Sequence, residues 1–287
     1  MMNSKLILGT VQFGLNYGIN NKTGIPDYNE VSSILSYARL NNISYLDTAT
    51  SYGNSEKIIG KFHKELETKF KINTKFPNGI INDFESQIRN SISRLNVDKI
   101  NIFFFHSLKD FVINKPKINR YLAKNKYCSF SKLGVSVYTN EELVEVLRHE
   151  IIDVVQVSFN IFDNESKKGD ILSKLKKAGK EIHARSCFLQ GLFFMNPNKF
   201  SYPLNELSLD VFRVKEIALK NNFHIGALCM SYVLKKKYID NLIVGVDSLD
   251  QLRQNISWSK SSISNEFENL IDDININKTQ LLNPSNW

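Results

Sequence analysis

The chain has 287 residues, 42% of them apolar, and a formal net charge of +8. That length and apolar content bury a sizeable core, and α/β barrels reach this size as one unit, so a single domain spanning 1–287 is expected, whose tail 277–287 either packs on the barrel or frays. A secretory leader and a membrane span are excluded as readings, because MMNSKLILGT lacks the apolar length and cleavage site and no stretch approaches roughly 18 to 20 apolar residues.

The expectation is therefore a soluble, cytoplasmic protein. Three cysteines, Cys128, Cys187 and Cys229, lie far apart with no C-x-x-C and no histidine at ligand spacing. Neither a disulfide framework nor a metal site is suggested, and reduced buried thiols are expected. The basic excess is spread over candidate helix faces, as in Lys167, Lys168, Lys174, Lys176, Lys177 and Lys180. This reads as a solvated face and not as a nucleic-acid surface, although a basic surface also attracts an anionic cofactor or substrate.

Eight short β-rich apolar runs follow one another: 5–9, 44–49, 71–76, 100–106, 132–137, 154–160, 181–187 and 241–246. Segments with helical period separate them, among them Val31, Ile34, Leu35 and Ala38, then Ile58, Ile59, Phe62 and Leu66. Phe84, Ile88, Ile92 and Leu95 make another, and Leu143, Val146 and Leu147 a further one. Thr139 with Glu142 and Ser248 with Gln251 match the capping box, and Asp27 with Glu30 approximates it. Strands joined by crossover helices run parallel, and eight such units close into a (β/α)8 barrel. An open doubly wound sheet is the alternative, but no G-x-G-x-x-G follows any strand.

Barrel sites lie at the C-terminal strand ends. Asp47 ends the second run, Lys75 the third and His106 the fourth, while Tyr52 follows in the second loop. Singly, each has a plainer reading: Asp47 as a helix cap, Lys75 as a surface lysine, His106 as a core histidine. Four ionisable side chains converging on one barrel mouth are harder to explain as packing.

The spacing D-T-A-x-x-Y-G-x-S-E at 47–56 resembles the signature of the aldo-keto reductase family. A lysine ending the third strand and a histidine ending the fourth agree with it, and the likeness runs from LGT at 8–10 to Q-x-x-x-N at 251–255. The resemblance implies hydride transfer between a nicotinamide cofactor and the carbonyl or alcohol of a small aldehyde, ketone or sugar. Hydride added to a carbonyl carbon leaves charge on oxygen, which needs a proton. Tyr52, a phenol with a reference pKa of about 10, would supply it if the Lys75 ammonium stabilised the phenolate. Asp47 would keep Lys75 charged, and His106 would hydrogen-bond the carbonyl oxygen.

By the same resemblance Ser136 and Gln156 would hold the nicotinamide carboxamide, with Thr10, Asp47, Ser186 and Phe188 also in the cofactor set. Arg185 stands where an aromatic ring often stacks on the nicotinamide. Its planar guanidinium can stack too, and its charge favours an acidic or phosphorylated substrate as a hypothesis. The segment GVDSLDQLRQN at 245–255 resembles an adenosine-phosphate site, in which Gly245, Ser248, Gln251 and Asn255 would contact the ligand. NADPH is expected over NADH, although Asp247 adds negative charge and the available cations are Arg253 and Lys199.

A cofactor-binding sensor with little turnover and a barrel hydrolase or isomerase that binds phosphate after strands seven and eight stay open as alternatives. Substrate choice is expected in segments 107–131 and 192–207, with Phe111, Lys115, Lys117, Tyr121, Phe193, Phe194 and Lys199. No nucleic-acid or membrane partner is expected, and the chain reads as a monomer or weak homo-oligomer.

Overall fold

The computed structural model describes residues 4–125 and 129–287; Cys128 lies outside them. All eight runs form strands: β1 (Leu6–Gly9), β2 (Tyr45–Asp47), β3 (Lys71–Lys75), β4 (Ile100–Phe105), β5 (Phe130–Val137), β6 (Val154–Ser158), β7 (Glu181–Arg185) and β8 (Asn241–Gly245). Each pairs parallel with the next, and β8 returns to β1 with Leu6 opposite Leu242 and Gly9 opposite Gly245. The sheet is a closed (β/α)8 barrel in a single domain.

The helices are α1 (Tyr28–Leu40), α2 (Ser55–His63), α3 (Phe84–Leu95), α4 (Leu108–Asn125), α5 (Asn140–Val146), α6 (Glu165–Lys177), α7 (Ser208–Lys220), α8 (Ile225–Lys235), α9 (Leu249–Trp258) and α10 (Asn265–Asp272). The stripe read from the sequence in α1 is its buried face: Val31, Ile34, Leu35 and Ala38. Thr139 and Glu142 form a complete capping box, and Asp27 accepts from the Glu30 amide. Among the described residues no helix is long and apolar enough to cross a membrane.

Alternation along β4 shows where the core sits. Phe103 and Phe105 join the large cluster between sheet and helices, whereas Ile102 and Phe104 form a small separate one with Val154. With a period of two, the second set faces the lumen. Gly134 leaves room there, since a Cβ on it would collide with the Phe104 ring.

One sequence expectation changes. Lys168 and Lys180 are not on a solvated face: Lys168 pairs with Asp163 and donates to the Ser158 carbonyl at 2.9 Å, and Lys180 donates to the carbonyls of His149 and Ile152. Their stems are buried because their ammonium groups donate to strand and turn carbonyls inside the fold. The tail beyond Ile276 packs, with Leu281 and Leu282 buried and the Trp287 indole donating to the Leu281 carbonyl at 2.8 Å.

Candidate active site

The last residues of β2 and β3 meet at the barrel mouth. Lys75 and Asp47 are 2% and 4% exposed, so their charges face little water. The Lys75 Nζ lies 2.5 Å from Asp47 Oδ1 and donates to the Thr48 carbonyl at 3.0 Å. The second carboxylate oxygen accepts from Gln156 Nε2 at 2.8 Å, reaching over from β6. Burial works against the ammonium, but the Asp47 carboxylate and then the Tyr52 hydroxyl more than offset it, and the Lys75 pKa lies above the ordinary lysine value.

Tyr52 stands beside this pair, its ring centre 5.1 Å from Lys75 Nζ. Its loop is held by a buried hydroxyl network in which Ser55 bonds Thr48 and Thr10, and the Thr10 hydroxyl donates to the Asp47 carbonyl. Two glycines let this loop touch the turn at Val11–Phe13. Gly53 has φ +53°, and a Cβ on Gly14 would lie 2.8 Å from the Ser55 amide nitrogen. Neither position tolerates a side chain without moving Tyr52.

His106 follows β4, 6.3 Å from the Tyr52 ring between centroids and edge-on to it. Burial and then the Lys75 charge lower its pKa to about 4. Its Nδ1 lies 2.9 Å from the Phe76 carbonyl, which can only accept, so Nδ1 carries the proton. Nε2 therefore bears a lone pair, and the Ser51 hydroxyl donates to it at 3.2 Å. The role read from the sequence, a hydrogen bond to a carbonyl oxygen, requires a donor that this neutral tautomer does not offer.

Asp47, Tyr52, Lys75 and His106 line one cavity of about 520 Å³, within the range of small-molecule and cofactor sites. The same cavity is lined by Thr10, Ser136, Gln156, Arg185, Ser186, Phe188, Gly245, Gln251 and Asn255. Ser248 is the exception among the expected set. It caps α9 by accepting from the Gln251 amide and stays out of the wall, while Gln251 turns its side chain to Asp247 and does not complete the capping box. Thr10 is fully buried, and its hydroxyl is spent on the Asp47 carbonyl.

The far wall is built at the C-terminal end of β8. A Cβ on Gly245 would come within 2.5 Å of Gln12 Oε1, so the glycine admits that amide. Gln12 Oε1 and Asp247 Oδ1 are buried acceptors without a partner. Trp258, stacked on His224 at 4.7 Å and on Phe194 at 5.9 Å, closes this side.

The segments expected to shape the substrate pocket contribute less than the sequence suggested. Residues 108–125 are helix α4, Phe111 and Phe193 are core, Lys115 bonds His149, Lys117 bonds the Ile81 carbonyl and Tyr121 packs on the core. Lys199 is exposed, and Phe194 is the one of the seven that lines the cavity. The wall comes instead from Tyr17, Asn20 and Asn21 in the loop after β1, and from Tyr138, over whose ring the Arg185 guanidinium lies at 4.1 Å. That loop has no hydrophobic period to read; its asparagines and glycines are the signal that could have marked it.

The chain as a whole is similar to known proteins. Residues 5–276 match the model of the aldo/keto reductase family, and the chain belongs to that family. It is an oxidoreductase. Aldo-keto reductase str7 of Strobilurus tenacellus is 24% identical over 259 residues, covering 81% of this chain and 77% of that protein. The NADH-specific methylglyoxal reductase of Escherichia coli (strain K12) is 21% identical, covering 77% and 80%. Among solved structures, aldo-keto reductase AKR11C1 from Bacillus halodurans, in its holo form, superposes with a TM-score of 0.76 at 18% identity, covering 98% of this chain and 96% of that one.

Proposed function

We propose that this protein reduces the carbonyl of a small aldehyde, ketone or sugar with a nicotinamide nucleotide, Tyr52 delivering the proton. The observation that carries the reading is the buried ammonium of Lys75, held by Asp47 and set beside the Tyr52 phenol. When bound, the nucleotide supplies hydride to the carbonyl carbon.

The chain's own residues do the rest. Tyr52 gives its proton to the oxygen on which charge develops, and Lys75 stabilises the phenolate left behind. Asp47 keeps the ammonium charged, and Gln156 fixes the carboxylate's orientation. His106 accepts a hydrogen bond through Nε2, from Ser51 or from a hydroxyl on the substrate. A hydroxylated carbonyl compound suits that acceptor.

Several features suit a dinucleotide. The cavity runs from this cluster to the end of β8, and Ser136 and Gln156 offer polar atoms at the catalytic end. Gly245 lets the Gln12 amide lie against the end of β8, and the unpartnered acceptors Gln12 Oε1 and Asp247 Oδ1 suit hydroxyl or amino donors. A relative named as a methylglyoxal reductase supports a small carbonyl substrate.

The test is loss of the reduced-nicotinamide absorbance band across a carbonyl panel, with Tyr52→Phe as control. Turnover that Tyr52→Phe abolishes supports the reading. Tight nucleotide binding with no consumption by the wild type would replace it with the sensor function.

A further inference from the structure

The cavity has two chemically distinct ends. Its lysine and arginine among the described lining residues are Lys75 and Arg185. Lys75 is committed to Asp47, and Arg185 leans from β7 across to β5, over the Tyr138 ring and 3.4 Å from the Val137 carbonyl. Hydride chemistry belongs at the Lys75 end, so the nucleoside remote from the reaction lies toward β8 and α9.

That second end is acidic. The α9 N-terminus, which would otherwise receive a phosphate, is already served by a carboxylate of this chain: Glu30, on α1, accepts from the Leu249 amide at 2.6 Å. The Gln251 amide is taken by Ser248. Asp247 holds Gln251 through Oδ2 and leaves Oδ1 buried without a donor. Asp250 also lies in the first turn, paired with Arg253 at 2.9 Å. Arg253 and Lys199, the two cations available in the sequence for a 2′-phosphate, are, like Glu30, absent from the cavity wall, and Arg253 is already paired with Asp250. His224 accepts from the Gly226 amide through Nδ1 and stacks on Trp258.

We propose that this end selects a dinucleotide whose ribose carries free hydroxyls, so that the protein uses NAD(H) in preference to NADP(H), with Asp247 and Glu30 as the specificity-determining residues. The inference rests on the nicotinamide-nucleotide reading above and reverses the NADPH preference expected from the sequence. A carboxylate acceptor takes a hydrogen bond from a ribose hydroxyl and repels the dianion that replaces it in NADP(H). Glu30 adds to this by cancelling the positive helix end on which a 2′-phosphate would depend.

Calorimetric titration of the wild-type protein with NADH, NADPH, AMP and 2′-AMP tests it. The expected result is that NADH binds at least about tenfold more tightly than NADPH, and AMP more tightly than 2′-AMP. Asp247→Asn and Glu30→Gln should each narrow the NADH/NADPH ratio by about threefold or more, mainly by strengthening NADPH, and added salt should narrow it in the wild type. Equal or tighter binding of NADPH by the wild type would overturn the selection while leaving the proposed function standing. No binding of either dinucleotide would instead refute the proposed function itself.

Discussion

Replacing Asp47 by asparagine removes the counter-ion of a buried ammonium while keeping the shape of the site. The carboxylate serves two donors with two oxygens, Lys75 Nζ at 2.5 Å and Gln156 Nε2 at 2.8 Å. A carboxamide has one oxygen, so its NH2 must face one of those donors. Breaking a buried pair by removing one partner costs about 3–5 kcal/mol, and the surviving Lys75 bond to the Thr48 carbonyl puts Asp47→Asn near the lower figure. At about 2 °C per kcal/mol for a domain of this size, the midpoint should fall by roughly 6 °C. The sign with pH follows from Lys75: its folded pKa is raised, so its contribution is complete below the unfolded value of about 10.4 and is lost as pH rises through the folded one. The decisive assay is a double-mutant cycle by urea unfolding at pH 7 with Asp47→Asn, Lys75→Met and both together. The double variant should recover about 2 kcal/mol or more relative to the sum of the singles. Additivity within about 0.5 kcal/mol would show that the two side chains do not hold each other, and the electrostatic argument for Tyr52 would go with it.

Tyr52→Phe should lower kcat by about 10²–10⁴-fold while leaving the dissociation constant of the nucleotide within about threefold, measured by steady-state kinetics and calorimetry. His106 has a folded pKa of about 4, so below its unfolded value of about 6.5 the unfolded chain takes up a proton that the folded one refuses. Stability should therefore fall as pH drops from about 6.5 toward 4, by on the order of 2 kcal/mol from this group, and His106→Asn should flatten that slope in urea titrations at pH 5 and 7.5. Gly14→Ala should cut kcat/KM by tenfold or more, because the new Cβ meets the backbone of Tyr52 and Ser55. Unchanged kinetics for that variant would mean the loop moves freely.

The barrel was legible because the strands are short, largely buried runs and α1, α2, α3 and α5 show their stripes, whereas α4 was hidden in a segment read for substrate choice. The gathering of Asp47, Lys75 and His106 at the barrel mouth was legible for the same reason, since they stand at or just beyond strand ends. What the sequence hid were hydrogen bonds between residues far apart in the chain. Gln156 read as a ligand for carboxamide, and its 109-residue reach to Asp47 has no local signature. The His106 tautomer depends on the Phe76 carbonyl, and backbone acceptors carry no residue code. Glu30 looked like half of a capping box, yet its side chain serves a different helix altogether. The buried Lys168 and Lys180 misled in the opposite direction, since composition cannot distinguish a solvated lysine from one that caps carbonyls.

The bond from the Leu249 amide to Glu30 spans 219 residues and lies beside the seam where β8 meets β1. During synthesis residues 47 to 106 emerge while most of the chain is still unmade, but the opposite wall must wait for the last strand and its helix to find the first. Closure of the ring, and with it the wall proposed to receive the nucleotide, therefore depends on a contact between the two ends of the chain that forms last in sequence order.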